Sequence, residues 1–357
     1  MRLAGLVAGL LVLTSCSSAP SPAPPPTMPW REVTLPAADA TVQDVAFCDD
    51  HWLAVGGLPT GPAAWMSADG TTWTGVRLEP VSFYGRQSTL SSVACRGADA
   101  VAVGAASGGA HGNPRTSTWR SRPDGSWLEH EPAFTQFGGA DSVGVGAAAA
   151  SLGAPPTWAI VGNWLGPDGS PGPALWHSAD GATFQRALVA PGSAARGTAV
   201  APLPGGGWLV AGEAYGTTLT GASWTSPDGA TWTPAPVGGP LALLTPYADG
   251  TLAVGSAGAW WHDGTAWQRR GGFGEAAGWR FLGLAAAGDL SVLTAAAGAS
   301  CRMWTSRDGG TTWQEVAMPA PVPVSAETVA ATAVSGDTIL LATDDGTRAR
   351  LWLSTLA

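Results

Sequence analysis

One short segment recurs along this chain and limits what it can fold into. It reads WMSADGTTW at Trp65–Trp73, WRSRPDGSW at Trp119–Trp127, WHSADGATF at Trp176–Phe184, WTSPDGATW at Trp224–Trp232 and WTSRDGGTTW at Trp304–Trp313. A shortened copy, WHDGTAW, lies at Trp261–Trp267, and a last one begins at Trp352 and stops where the chain ends. With Trp261 as the leading residue of the short copy, the leading tryptophans stand 37 to 57 residues apart. Units of that length are single supersecondary motifs, which bury their apolar faces only by stacking on one another.

An apolar strand ending in glycine precedes most copies, as at Leu53–Gly56, Val101–Gly104, Ala159–Gly162, Leu209–Gly212 and Leu252–Gly255, with looser versions at Val292 and Ile339. Another short strand comes before that, as at 43–48 and 91–95. Four short strands per unit predict an all-β fold, a seven-bladed β-propeller of four-stranded antiparallel blades. The last unit runs out after its third strand, at 350–354. Trp30–Val33 (WREV) matches Trp313–Val316 (WQEV), a fourth strand of an earlier unit. Residues 30–35 are therefore expected to supply the missing outer strand and close the ring, so that the propeller occupies 30–357. Composition agrees: Gly 50 and Pro 29 are too many for a helical protein, and Trp 19 too many for a disordered one.

The chain has 17 cationic residues, every one Arg, against 26 acids, for a net charge of −9. Such a chain lacks the cationic patches that nucleic acid or an anionic membrane surface requires. Residues 1–15 have the layout of a secretory signal: Arg2, an apolar run from Leu3 to Leu13, then small residues. The run falls short of the ~20 residues that span a bilayer. Its end, Leu13-Thr14-Ser15-Cys16, resembles the bacterial lipobox. That resemblance implies lipidation of Cys16 and a body anchored to the cell membrane on its extracytoplasmic side. Residues 16–29, rich in Pro and Ser, are expected to be an extended spacer outside the core.

The recurring Ser-x-Asp-(x)-Gly-x-Thr-Trp pattern, with the full spacing at Ser306–Trp313 and one residue fewer between Asp and Gly in most other copies, resembles the Asp-box, or BNR repeat, of the sialidase-like superfamily. Some photosystem-assembly and sorting-receptor propellers and some glycanases carry it too. The resemblance implies a structural role for Asp69, Asp124, Asp180, Asp228, Asp263 and Asp308. Each would accept turn N–H groups in the hairpin between third and fourth strands, on the face opposite the one where sialidases keep their active site.

Chemistry is harder to find. By the same resemblance, sialidase action would need three Arg, a Tyr nucleophile with a Glu partner, and an Asp acid. The family's first Arg lies in an Arg-Ile-Pro motif before the first box; here only Arg31 lies between Trp30 and Trp65, without that motif. Glu213 and Tyr215 are spaced to share one strand face. Glu79, Glu129, Glu131, Asp141 and Glu275 fall in expected loops, where they read as solvated acids, and no spacing pairs two of them for glycoside hydrolysis. No catalytic residue is assigned. The five His (51, 111, 130, 177, 262) are scattered, His177 and His262 each following a leading Trp, so no metal site is expected. No phosphate loop or nucleotide fingerprint implies a cofactor, and Asp344-Asp345-Gly346 reads as a hairpin turn.

Cys48 and Cys95 end the first strands of adjacent units and are candidates for a disulfide in an oxidising compartment, with buried thiols as the alternative. Cys301 stands alone. Propellers commonly bind partners on the face that carries the loops between second and third strands and between blades. Those loops hold Tyr84, Arg86, His111, Arg115, Phe137, Trp164, Glu213 and Tyr215, and aromatics beside Arg have the composition of binding hot spots. The expected function is a non-catalytic platform for an envelope protein or glycan. The alternative is an envelope glycoside hydrolase, sialidase-like or otherwise, which should show convergent acids in the central funnel.

Overall fold

The computed structural model describes residues 24–108, 114–130, 134–274 and 278–356. They form seven sheets set as blades around one axis. Blade one runs outward from the axis as Thr41–Phe47, Trp52–Leu58, Gly61–Ser67 and Thr74–Gly75, and the other blades repeat this order. Among the described residues, helix is confined to the turns Gly85–Gln87 and Phe134–Phe137. Small residues on the innermost strands, among them Ala46, Ala94, Ala149, Ala201, Ala286 and Ala333, surround an axial cavity of about 380 Å³. Alternation along the strands sends the third-strand tryptophans into the layers between blades. Trp65, Trp119, Trp176, Trp224, Trp304 and Trp352 are all buried. Burying ~200 Å² of indole at ~25 cal/mol/Å² contributes about 5 kcal/mol gross.

Blade five departs from the expected register by one residue. Ser67 lies opposite Trp52, the first residue of its second strand, and Ser226 lies opposite Trp208. In blade five it is His262 that lies near this end, opposite Thr251. His262 thus takes the box serine's place, and Trp260, two residues earlier, takes the core tryptophan's. Trp260 is buried, and Trp261 faces the other way, against Arg270. Two adjacent tryptophans hide this slip in the sequence, and a slip of one reverses the faces of a strand.

The N-terminal strand closes the ring. Arg31–Val33 pairs antiparallel with the last strand, Arg31 opposite Leu353, Glu32 opposite Trp352 and Val33 opposite Leu351. The docked segment starts earlier than expected. The Ala317 N–H donates to the Pro26 carbonyl at 2.9 Å, Trp30 Nε1 donates to the Ala317 carbonyl at 3.3 Å, and Met28 packs with Trp30 against blade six. The spacer expected through residue 29 is therefore part of the folded body from Pro26. Blade two has a fifth strand that the sequence does not announce: Leu78–Glu79 lies parallel to Trp127–His130 on its outer edge.

Most box hairpins fasten one blade to the blade before it. Ser226 Oγ accepts the Gly229 N–H, and Asp228 Oδ1 accepts the Ala230 and Thr231 N–H groups. The Thr231 and Ala230 amides hold the Asp228 carboxyl down to about 2, and Thr183, with Ala182, does the same for Asp180. The box glycine adopts positive φ, from 70° to 94° across the boxes, and in four of them lies flat on the preceding blade. A Cβ added at Gly70 would come within 3.0 Å of Leu353 in blade seven. At Gly181 it would lie 2.8 Å from Val101 in blade two, at Gly229 3.1 Å from His177 in blade three, and at Gly310 2.9 Å from Leu252 in blade five. Gly125 in blade two and Gly264 in blade five meet nothing within 4 Å.

The seam between blades one and two has other fastenings. Cys48 and Cys95 are joined in a disulfide. Asp44 Oδ2 accepts the Val93 N–H at 2.9 Å, and Asp49 takes Arg96 at 3.0 Å and the Gly97 N–H at 2.9 Å. Further round the ring, Ser92 Oγ accepts the Ala148 N–H at 3.1 Å, and the Asn163 amide both donates to and accepts from the Gly197 backbone.

Two outcomes test this. Soluble bodies beginning at Pro24, Pro29 and Pro36 should melt in descending order. The last should lose up to about 3 kcal/mol with the half-buried Trp30 side chain alone, before the bare strand edge is counted; equal melting temperatures would remove the clasp. The second concerns His262, which is fully buried and whose Nδ1 must be unprotonated to accept the Gly264 N–H at 3.1 Å. Burial lowers its pKa, with Asp263 opposing. A depressed folded-state value means that the unfolded chain takes up the proton first. This contribution to stability is present above about pH 6.5 and fades as pH falls. Denaturant unfolding from pH 7.5 to 5.5 should show a shallower acid-side loss for His262→Gln than for the native chain. Identical slopes would contradict the assignment.

Candidate binding face

The second-to-third-strand and inter-blade connections emerge on the face opposite the box hairpins. The loop from blade one to blade two is pinned from below by Glu129. This residue is only 2% exposed and lies on the strand Trp127–His130, so it is not the solvated loop acid that the sequence suggests. Its carboxylate accepts the Val81 N–H at 2.7 Å, the Ser82 N–H at 2.9 Å and the Ser82 hydroxyl at 2.6 Å. Ser82 Oγ in turn accepts the Gly85 N–H at 2.7 Å. Gly85 has to be glycine: a Cβ there would lie 1.9 Å from Glu129 Oε2. The buried acid thus fixes a loop whose apolar side chains point outward, Phe83 at 61% exposure and Val81 at 52%.

Beside this loop Arg115 lies 4.0 Å over the Phe134 ring and 5.3 Å from that of Tyr84. These side chains and Glu129 border a cavity of about 190 Å³. The Arg115 Nε has no hydrogen-bond partner among the described residues. Phe134, Val143, Tyr215 and Leu219 extend the exposed apolar surface across blades three and four. Arg86 is exposed at the end of the Gly85–Gln87 turn.

Two expected members belong to the core instead. Phe137 and Trp164 are buried against Trp176. The Phe134–Phe137 turn folds back over blade three, and Arg186 caps it, lying 3.6 Å over Trp164 and donating to the Thr135 and Gln136 carbonyls. Aromatics in a loop-length segment gave no sign of this fold-back. Phe83 and Phe134, the exposed rings, stand in the same stretches. Glu213 lies on the strand Trp208–Ala214 and ion-pairs with Arg196 at 2.9 Å; among the described residues no hydrogen bond joins it to Tyr215. Glu79 sits on the added strand of blade two and pairs with Arg122 at 2.6 Å. Cys16, His111, Glu131 and Glu275 lie outside the described residues. Asp49 is the one acid among the described residues lining the axial cavity, and Arg96 neutralises it. No group of three or more His, Cys, Asp or Glu that could hold a metal occurs among the described residues.

No protein-family model and no curated protein sequence matches this chain. Solved structures do resemble it. A Trypanosoma rangeli sialidase, as a covalent intermediate with difluorosialic acid, superposes at a TM-score of 0.51 with 11% identity, over 89% of this chain and 54% of the sialidase. The Pyrococcus horikoshii acylaminoacyl peptidase gives 0.54 with 9% identity, over 89% and 52%. The β-propeller domain of the Trilobed protease from Pyrococcus furiosus gives 0.51 with 10% identity, over 88% and 95%. The chain spans about half the length of the sialidase and the peptidase. At such identities the likeness concerns the fold alone, a propeller shared by proteins of different activities.

Proposed function

We propose that this protein is a lipid-anchored, extracytoplasmic β-propeller that binds an envelope protein or glycan, without catalysis, through the loop face of blades two to four. The observation that carries this reading is the pinned loop. A fully hydrogen-bonded buried carboxylate, Glu129, holds Val81 and Phe83 out into solvent beside the Arg115–Phe134 pair. Ordered aromatic and arginine side chains on a rigid scaffold lose little entropy on binding. The Cys48–Cys95 disulfide is in keeping with an oxidising compartment. Among the described residues the axial cavity is lined by one acid, Asp49, paired with Arg96, which is not the pair of carboxyls that a hydrolase reading requires.

Affinity capture from envelope extract should recover a partner with the native chain and lose it with the double variant Phe83→Ser/Phe134→Ser. Leu188→Ser, on the outer strand of blade three, should retain it; unchanged recovery by the double variant would contradict the face. Separately, Cys16→Ala should move the protein from the membrane to the soluble fraction with an unchanged melting temperature. Retention in the membrane would contradict the anchor.

A further inference from the structure

The cavity of about 190 Å³ beside the pinned loop holds more hydrogen-bonding capacity than the fold uses. It lies over the outer strands of blade two and shares no lining residue with the axial cavity. Tyr84 reaches it from the loop that enters the blade, Arg115 and Ser117 from the third strand, Glu129 from the fourth, and Phe134 from the turn that follows. Ser117 and Glu129 are each only 2% exposed.

The unused capacity is of both kinds. Ser117 Oγ accepts the Trp119 Nε1 proton at 3.0 Å, and its own proton has no acceptor among the described residues. Arg115 Nε is a second donor, buried and without a partner among the described residues. Glu129 Oε1 takes one hydrogen bond, from Ser82 Oγ, where a carboxylate oxygen has room for two. Two spare donors and one spare acceptor thus belong to side chains that border the same space.

This set discriminates among occupants. An anion could accept from Arg115 and Ser117 but would meet the Glu129 charge. A cation could approach Glu129 but would meet Arg115. An apolar group would leave every one of these groups unpaired. Hydroxyl groups donate and accept alike, and a pyranose carries several on one ring, with C–H faces that suit walls made by Tyr84 and Phe134. A side-chain carboxamide also donates and accepts, but it is too small to fill a space equal to about six waters at ~30 Å³ each. One hexose-sized residue fits that space.

We propose that this pocket takes the terminal, uncharged pyranose residue of a glycan. Because the cavity holds one residue, it suits a chain end or a side branch. The inference rests on the loop face being the binding face, and it commits that face to a sugar. Glu129 then acts twice, fixing the loop and receiving a ligand hydroxyl.

Saturation-transfer NMR tests this on the full chain carrying Cys16→Ala, with the methyl glycosides of glucose, galactose, mannose and N-acetylglucosamine as probes. At least one should bind, weakly, as so small a ligand must. Arg115→Met removes the guanidinium donors and Tyr84→Ala removes a wall. Both residues are half-buried, so the fold should survive, which melting curves check. Each variant should weaken binding by roughly tenfold or more, and Leu188→Ser should not. Methyl glucuronide and tetramethylammonium should bind less tightly than the neutral glycoside. The proposal is overturned if none of the four glycosides binds, if binding is indifferent to both variants, or if a charged probe binds more tightly. Should the glycosides fail while Phe83→Ser/Phe134→Ser still abolishes capture from envelope extract, the sugar is refuted and the binding face stands. Should capture also be unchanged, the face falls with it.

Discussion

A ring of sheets stands or falls on its seams. Each blade is a thin, twisted sheet with two apolar faces and cannot bury either alone. Every one of the seven junctions must therefore be filled, and the last must be filled by chain ends. The repeated box supplies most of this filling. Its aspartate satisfies the turn amides, so the glycine can lie bare against the preceding blade. Where the box fails, another device takes over: a tryptophan in blade five, the N-terminal segment at the clasp, and a disulfide with two bonded aspartates between blades one and two.

Much of this was legible in the sequence because the box carries its own geometry. Ser, Asp and Gly at fixed spacing specify a turn, the closing ring specifies what lies under it, and WREV near the start matches the fourth strand missing at the end. Other features were illegible for identifiable physical reasons. Trp260 and Trp261 are chemically identical, and only the register with Leu252 and Ala253 separates core from surface. Pro26 and Met28 read as linker because proline-rich chain gives no periodicity, yet a single carbonyl and one thioether suffice to dock it. Leu78–Glu79 is two residues long, below what any pattern can announce.

The exposed rings of the loop face were legible as a region of the chain but not residue by residue. The loops of blades two to four do carry exposed rings, but Phe83 and Phe134 are exposed while Phe137 and Trp164 are core. Periodicity cannot separate them: Phe83 lies in a loop, Phe134 and Phe137 in a single helical turn and Trp164 near the end of the strand Trp158–Leu165, so burial depends on how the turn folds back over blade three. Glu129 was misread for a related reason. A carboxylate looks solvated until the amides that surround it are known, and those amides come from residues nearly fifty positions earlier. The result is a division of labour between the faces. One is committed to holding blades together, and the other presents side chains that the fold itself does not need.

Native-state hydrogen exchange, resolved to individual amides, tests the closed ring most directly. If the N-terminal strand is a true seventh outer strand, the paired amides of Arg31–Val33 and Leu351–Leu353 should be protected together, opening in the same event as the inner strands of blade seven. Exchange of Arg31–Val33 at the rate of a free chain end, with the inner strands still protected, would contradict the account: the ring would then be held without its clasp.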